Sequence, residues 1–433
     1  MQDASDDEEW SSASEDEAAD GAAPLPLGLA VEVRAKNIDE VFYDAVVLAF
    51  DARSGTYRVR YDDNTEDAGI KRAAMIAPSQ RRVVARDGLF SLVDGHVFLR
   101  GAVREARLMA FHDSPHIVQS AVVFARNAQG EPVFDHAELA FDVDKALLLV
   151  LPLVDGQRGA WTAAAAAASA AAAPAAAPAP AAQGPAAATA VAAAAAATEP
   201  TAAPTLAPAL RVALLGAGAG CVSMAMLALD PSAVLDVVEL TPAVVEASRA
   251  YFGVPREHPR LAFHISDALE FDLAVSKYDV VVIDVAAADT GATEEEQRAG
   301  LHVDLPPRAF LREDYIRHKV LPALRPGGWA ALNVLAGRLA LESIVETLER
   351  CAAQVYVLGT DPNYVFMFSA SPADDPVLPL HLVHWAARRG LQGACHNVLL
   401  DVAKTASHLR HSVLLGWFTA RQFRELLRQD SLV

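Results

Sequence analysis

The residues best placed to do chemistry lie at the ends of short apolar runs in the second half of this 433-residue chain. The run Arg211-Val-Ala-Leu-Leu leads into Gly216, Gly218 and Gly220. Glycines there permit a tight turn and let backbone amides approach a ligand with no Cβ in the way. The next run ends at Glu239, nineteen residues past Gly220, where a carboxylate can accept both hydroxyls of a ribose. The third run is followed by Ser266-Asp267-Ala268, which sets an acid where an adenine amino group would lie. Asp284 closes the fourth run, Tyr278-Asp-Val-Val-Val-Ile-Asp284. Taken singly, each acid could equally be a helix cap or a turn residue; taken together, they predict one groove for a nucleoside.

The spacing also discriminates between cofactors. A nicotinamide or flavin fingerprint places glycine at the sixth position of GxGxxG, and here that residue is Cys221. S-adenosyl-L-methionine has no pyrophosphate, so it needs the glycines for its carboxyl and sulfonium end and the acids for ribose and adenine. The pattern therefore favours that cofactor or its decarboxylated relative.

Such a groove needs a parallel sheet. Apolar runs at Val212 to Leu215, Val234 to Val238, Leu261 to Ile265, Val280 to Ile283 and Trp329 to Val334 alternate with helical stretches at Val222 to Leu229, Pro242 to Phe252 and Phe310 to Leu324. This is the rhythm of a doubly wound α/β sheet buried on both faces. Ahead of it, Val31 to Arg34, Tyr43 to Phe50 and Thr56 to Tyr61 predict a small curled barrel, and Arg107 to Phe111, Ile117 to Phe124, Ala137 to Phe141 and Ala146 to Val150 predict hairpins. The expected organisation is an acidic disordered tail over 1–26, the barrel over 27–80 and the hairpin segment over 86–155. An Ala/Pro-rich linker over 160–208 follows, then the core over 209–370 and a helical extension over 371–433.

The tail holds nine acids in its first twenty residues and no Lys or Arg, so it should repel itself. Ser5, Ser12 and Ser14 each precede an acid by three residues, which suits an acid-directed kinase, while a plain solvated tail is the preferred reading. With 36 Lys and Arg against 55 Asp and Glu, the net charge of −19 argues against a nucleic-acid partner. Three cysteines without a CxxC pair indicate neither a disulfide framework nor a thiolate zinc site. The group His381, His384, Cys395 and His396 falls at no recognisable ligand spacing. The chain reads as soluble, without a membrane span, and cytoplasmic or nuclear.

Leu214-Leu-Gly-Ala-Gly-Ala-Gly220, Val237-Val-Glu-Leu240, Tyr251-Phe-Gly253, Tyr278 to Val285, Leu305-Pro-Pro-Arg-Ala-Phe310, Leu324-Arg-Pro-Gly-Gly328 and Leu332-Asn-Val334 resemble the spermidine-synthase-like methyltransferases. Arg107 to Ser120 is similar to the β-segment before the catalytic core of that family. The resemblance implies a Rossmann-like class I methyltransferase sheet and S-adenosyl-L-methionine as cofactor. It also implies methyl transfer to an α-amine or lysine of a protein substrate such as a translation factor. It places Gly216, Gly218, Gly220, Glu239, Asp267, Ala268 and Asp284 at the cofactor, Asp284 and the segment through Asp289 at the amine, and Asn333 in the pocket lining. Aminopropyltransferases of this group carry a second acid three residues beyond the one matching Asp284, and here that residue is Ala287. An aminopropyltransferase and an inactive binding scaffold are the alternative readings.

Phe42-Tyr-Asp-Ala-Val46, Tyr57-Arg-Val-Arg-Tyr61 and Asp62-Asp-Asn-Thr65 resemble Tudor-type domains, in which an aromatic cage holds a methylated lysine or arginine. Tyr43 and Tyr61 fall near cage positions and would bind a methylated peptide; alternatively, they fill the barrel's core.

Overall fold

The computed structural model describes residues 24–34, 41–61, 64–77, 79–99, 102–112, 118–154, 209–286, 293–360, 363–371 and 417–429. The acidic tail before Ala23, the Ala/Pro-rich tract, Ala287, Asp289 and the His381, His384, Cys395 and His396 group lie outside them.

The first unit is a curled antiparallel sheet of five strands: β1 (Ala30–Arg34), β2 (Phe42–Asp51), β3 (Thr56–Tyr61), β4 (Glu66–Lys71) and β5 (Met75–Ile76), in the order β4-β3-β2-β1-β5. Val31, Val33, Ala45, Val47, Tyr57, Val59 and Ile70 form its core, as alternation in half-buried strands dictates. A second antiparallel meander follows: β6 (Arg82–Arg86), β7 (Phe90–Leu99), β8 (Ala102–Phe111), β9 (Val118–Arg126) and β10 (Pro132–Leu139). The buried Glu32 ties the two sheets, since its carboxylate accepts from the Gln80 amide at 2.7 Å and meets His96 Nδ1 at 2.9 Å.

The large sheet runs in the order β13-β12-β11-β14-β16-β18-β17-β19. Its strands are β11 (Arg211–Leu215), β12 (Val234–Glu239), β13 (Leu261–Ile265), β14 (Tyr278–Ile283), β16 (Leu324–Ala336), β17 (Gln354–Thr360), β18 (Asn363–Ser369) and β19 (Trp417–Thr419), while β15 (Val303–Leu305) pairs with β16. The first five in the spatial order are parallel, and β18 runs antiparallel between β16 and β17. Val212, Leu214, Val280, Val282, Trp329 and Ala331 pack on one face; Ala213, Leu215, Val281, Ile283, Ala330 and Leu332 pack on the other. Continuous apolar runs are what a sheet covered on both faces requires.

Two expectations fail here: in the extension over 371–433, expected to be helical, Trp417–Thr419 is strand β19 on the edge of the sheet beside β17, and a second apolar run changes type. The run Ala146 to Val150 is not a hairpin strand: it belongs to helix α1 (Asp142–Leu147) and the helical turns that continue to Val154. The run is apolar at every position instead of alternating, so its period could not separate a strand from a buried helix, and Ala and Leu prefer the helix. Ala146 through Leu151 are all buried, packed with helix α2 (Cys221–Leu229) on one face of the large sheet. Helices α3 (Pro242–Tyr251) and α4 (Glu294–Arg298), the helical stretch α5 over 313–323, then α6 (Arg338–Cys351) and α7 (Ala420–Gln429) complete the fold. In α6 the buried residues Ala340, Leu341, Ile344, Val345 and Leu348 make the stripe expected of a helix lying on a core.

Candidate functional site

The strand register puts four of the expected residues at one level. Leu215 pairs with Val238 and with Ile283, and Ile283 pairs with Leu332, so Gly216, Glu239, Asp284 and Asn333 follow side by side at the carboxyl edge. Gly216 adopts φ +94°, and a Cβ built on it would stand 2.0 Å from the Asp284 carbonyl oxygen. No other residue fits both restrictions. Gly218 and Gly220 are also left-handed, at φ +49° and +85°; a Cβ on them would meet Ser120 Oγ at 2.7 Å and Val254 Cγ2 at 2.6 Å.

The half-buried Glu239 is held by two backbone donors. The Ala217 amide of the glycine turn donates to one carboxylate oxygen at 3.0 Å, and the Thr241 amide, just before α3, donates to the other at 2.9 Å. Two amide donors orient the carboxylate and leave further lone pairs for a ligand. Asp284 accepts from Asn333 Nδ2 at 2.8 Å, and Asn333 Oδ1 accepts from Asn363 Nδ2 at 2.8 Å, a chain across β14, β16 and β18. Burial raises the Asp284 carboxyl above its ordinary range, and the Asn333 hydrogen bond only partly opposes it.

Asp267 stands apart from this row. It is exposed, its Oδ1 accepts from the Leu269 amide at 2.8 Å, and its charge reaches Tyr315, whose hydroxyl is pushed up mainly by burial. It caps a turn through that oxygen, and the neighbouring Ala268 is buried. Lys319 donates to the Leu269 carbonyl of the same turn.

The meander roofs the glycine turn. Ser120 Oγ accepts from the Ala219 amide at 3.0 Å, Cys221 Sγ donates to the Ala121 carbonyl at 3.6 Å, and Arg107 donates to the Tyr251 carbonyl at 2.7 Å. Arg107 is itself fixed by Asp94, at 2.7 Å, with both side chains buried. Sequence reasoning missed Ser120, Asn363 and Asp144. Asp144 sits on α1, only 7% exposed, and burial followed by the charge of Asp284 lifts its carboxyl well above the ordinary range. An acid and a lysine at the head of an all-apolar run were the signal for it, hidden by the reading of that run as a strand.

In the first sheet, Tyr61 packs against that sheet's own core and Tyr43 against the cluster of Val41, Val97 and Leu108 at the join with the meander. Among the described residues no group of three His, Cys, Asp or Glu side chains could hold a metal ion, and no helix is long and apolar enough to cross a membrane.

A parallel sheet entered at a glycine turn, with one antiparallel strand lodged between the last two of its core, is the Rossmann-like class I methyltransferase fold, and this chain has it. The chain is similar to the human eEF1A lysine and N-terminal methyltransferase, at 28% identity over 156 residues covering 34% of this chain and 21% of that protein. The protein of that name from Danio rerio is 26% identical over 226 residues, covering 51% of this chain and 27% of that protein. The chain thus spans about a quarter of the length of the curated relatives it matches. Among solved structures, human methyltransferase-like protein 13 in complex with SAH is 25% identical, covering 44% of this chain and 82% of that chain, with a TM-score of 0.37. No protein-family model matches the chain.

Proposed function

We propose that this chain is an S-adenosyl-L-methionine-dependent N-methyltransferase whose acceptor is an amine of a protein, with eEF1A as the first substrate to test. One observation carries the reading: Glu239 is tied to the Ala217 amide of the glycine turn at the same sheet edge where Asp284 stands in register beside Gly216. The naming of the relatives as eEF1A methyltransferases supports the substrate class.

When bound, the cofactor supplies a methyl group on a sulfonium. The chain's own residues do the rest. The left-handed glycines keep side chains out of the turn, and the amino end of α2, which begins at Cys221, favours a carboxylate beside it. Glu239 would take the ribose hydroxyls and Asp267 and Ala268 the adenine, with Asp284 and Asn333 lining the acceptor side. Alignment of donor and acceptor supplies much of the rate, and the amine must lose its proton first. An α-amine, with a pKa of about 7.7, does so more readily than lysine at about 10.4.

The test is transfer of radiolabelled methyl from S-adenosyl-L-methionine to eEF1A, with the modified residue mapped by mass spectrometry. Labelling that requires Asp284 supports the reading. Failure to label any protein in a cell extract, or aminopropyl transfer to putrescine from the decarboxylated cofactor, overturns it. The methylated-peptide reading of the barrel has its own test: binding should weaken in Tyr61→Ala and in Tyr43→Ala.

A further inference from the structure

The glycine turn spends most of its own amides inside the protein. The Gly216 amide donates to the Val238 carbonyl at 2.9 Å, the Ala217 amide to Glu239 at 3.0 Å and the Gly220 amide to the Ala217 carbonyl at 2.9 Å. Those partners belong to the sheet edge or to the turn itself. The Ala219 amide differs: its acceptor is Ser120 Oγ at 3.0 Å, 99 residues earlier in the chain and on β9 of the meander. Ser120 is only 5% exposed, and the pairing of β8 with β9 breaks register beside it. Met109 pairs with Ser120 and Ala110 with Val118, which leaves Gln119 over. A bulge of this kind bends a strand and re-aims its side chains. Ser120 Oγ also stands 2.7 Å from where a Gly218 Cβ would be, so a side chain at that position would push the hydroxyl off the amide. Two neighbours hold the contact in place. Cys221 Sγ donates to the Ala121 carbonyl at 3.6 Å, and Arg107, opposite Val122 of β9, is bonded to Asp94 at 2.7 Å and to the Tyr251 carbonyl at 2.7 Å.

We propose that Ser120 is a positioning residue for the cofactor: by accepting from the Ala219 amide, its hydroxyl sets the glycine turn in the form that binds S-adenosyl-L-methionine. The inference rests on the methyltransferase reading. Glycine-rich backbone has the most freedom to lose, and a ligand that must order it gives up affinity to that cost. The bond from Gly220 to Ala217 closes the turn around the Gly218–Ala219 peptide without touching it, and Ser120 holds that peptide. Because a peptide unit is planar, fixing the Ala219 amide also fixes the direction of the Gly218 carbonyl. Ser120 acts through the turn, so its loss is read in cofactor affinity and not in turnover at saturation.

The experiment compares the full wild-type chain with Ser120→Ala, Ser120→Thr and a control from the same strand, Val123→Ala, whose side chain belongs to a separate buried cluster. S-adenosylhomocysteine affinity is measured by calorimetry, methyl transfer to eEF1A gives kcat and the KM for S-adenosyl-L-methionine, and hydrogen exchange follows the Ala219 amide. In Ser120→Ala, affinity and KM should each worsen about tenfold, the order expected when a buried donor loses its acceptor, with kcat within about twofold of wild type and faster exchange at Ala219. Ser120→Thr keeps the acceptor and should stay within about threefold in both. Val123→Ala loses stability but should bind as wild type does. Wild-type affinity in Ser120→Ala would overturn the proposal, as would equal weakening in Val123→Ala or Ser120→Thr, the mark of a contact that only stabilises the meander. If wild type itself neither binds S-adenosylhomocysteine nor labels protein, the methyltransferase reading fails and takes the positioning role with it. Should Ser120→Ala not fold, Ser120→Cys decides, since sulfur is a weak acceptor: weakened binding with kcat kept supports the role, and wild-type binding overturns it.

Discussion

The two ends of the large sheet treat their carboxylates in opposite ways. Toward the amino ends, Asp236 meets Lys277 Nζ at 2.7 Å, His264 at 3.0 Å and the Tyr278 hydroxyl at 3.0 Å; burial pushes its carboxyl up, but these partners outweigh it and the net displacement is downward. Asp279 accepts from the Arg211 amide at 2.7 Å and pairs with Arg325 at 3.0 Å. At the carboxyl edge, Asp284 has one neutral amide donor, Asn333, and burial raises its carboxyl. Charge is met by cations toward the amino ends, and at the carboxyl edge Asp284 is met by a neutral amide. A carboxyl raised by burial at the carboxyl edge of an α/β sheet marks a candidate functional site.

The comparison can be broken from either end. The largest effect is expected from Asp284→Ala, which should reduce methyl transfer by on the order of 10³-fold or more while the protein stays folded, checked by kcat and circular dichroism. Glu239→Ala comes next: S-adenosylhomocysteine affinity should drop about 10²-fold by calorimetry, because a charged acceptor is lost and the Ala217 and Thr241 amides are left unpaired. Gly216→Ala should destabilise the chain by roughly 3 kcal/mol in urea unfolding, since the Asp284 carbonyl occupies the space of the new methyl and the backbone is left-handed.

A smaller effect sharpens the contrast through pH. A carboxyl raised in the folded state contributes stability fully below its unfolded pKa, about 4, and loses it as pH rises through the folded value. Asp284→Asn should therefore gain on wild type in melting temperature from pH 5 to pH 9. Asp236, lowered on folding, has the opposite sign: its contribution is present at neutral pH and lost in acid, so Asp236→Asn should cost most at pH 7 and least below pH 4. That cost should be about 1 kcal/mol, the smallest change of the set, with methyl transfer unaltered.

Much of the fold was legible because burial on both faces writes itself as unbroken apolar runs: β11, β12, β13 and β14 lie within two residues of where those runs predicted them. The same property hid α1, since a short run buried on every side has no period to read. The glycines and Glu239 were legible because turn geometry and strand ends constrain residue type locally. Ser120 and Asn363 were not, because their positions depend on a meander and an antiparallel strand that meet the edge only in three dimensions. Asp267 shows the limit from the other side. Its type and spacing suited an adenine, and the structure also gives it a turn amide to accept.

Titration of the full chain with S-adenosylhomocysteine, in wild type, Glu239→Ala and Asp236→Asn, tests the contrast most directly. Binding in wild type, weakened about 10²-fold in Glu239→Ala and unchanged in Asp236→Asn, is the predicted result. No binding in wild type, or equal weakening in both variants, would contradict the assignment of the nucleoside groove to the carboxyl edge.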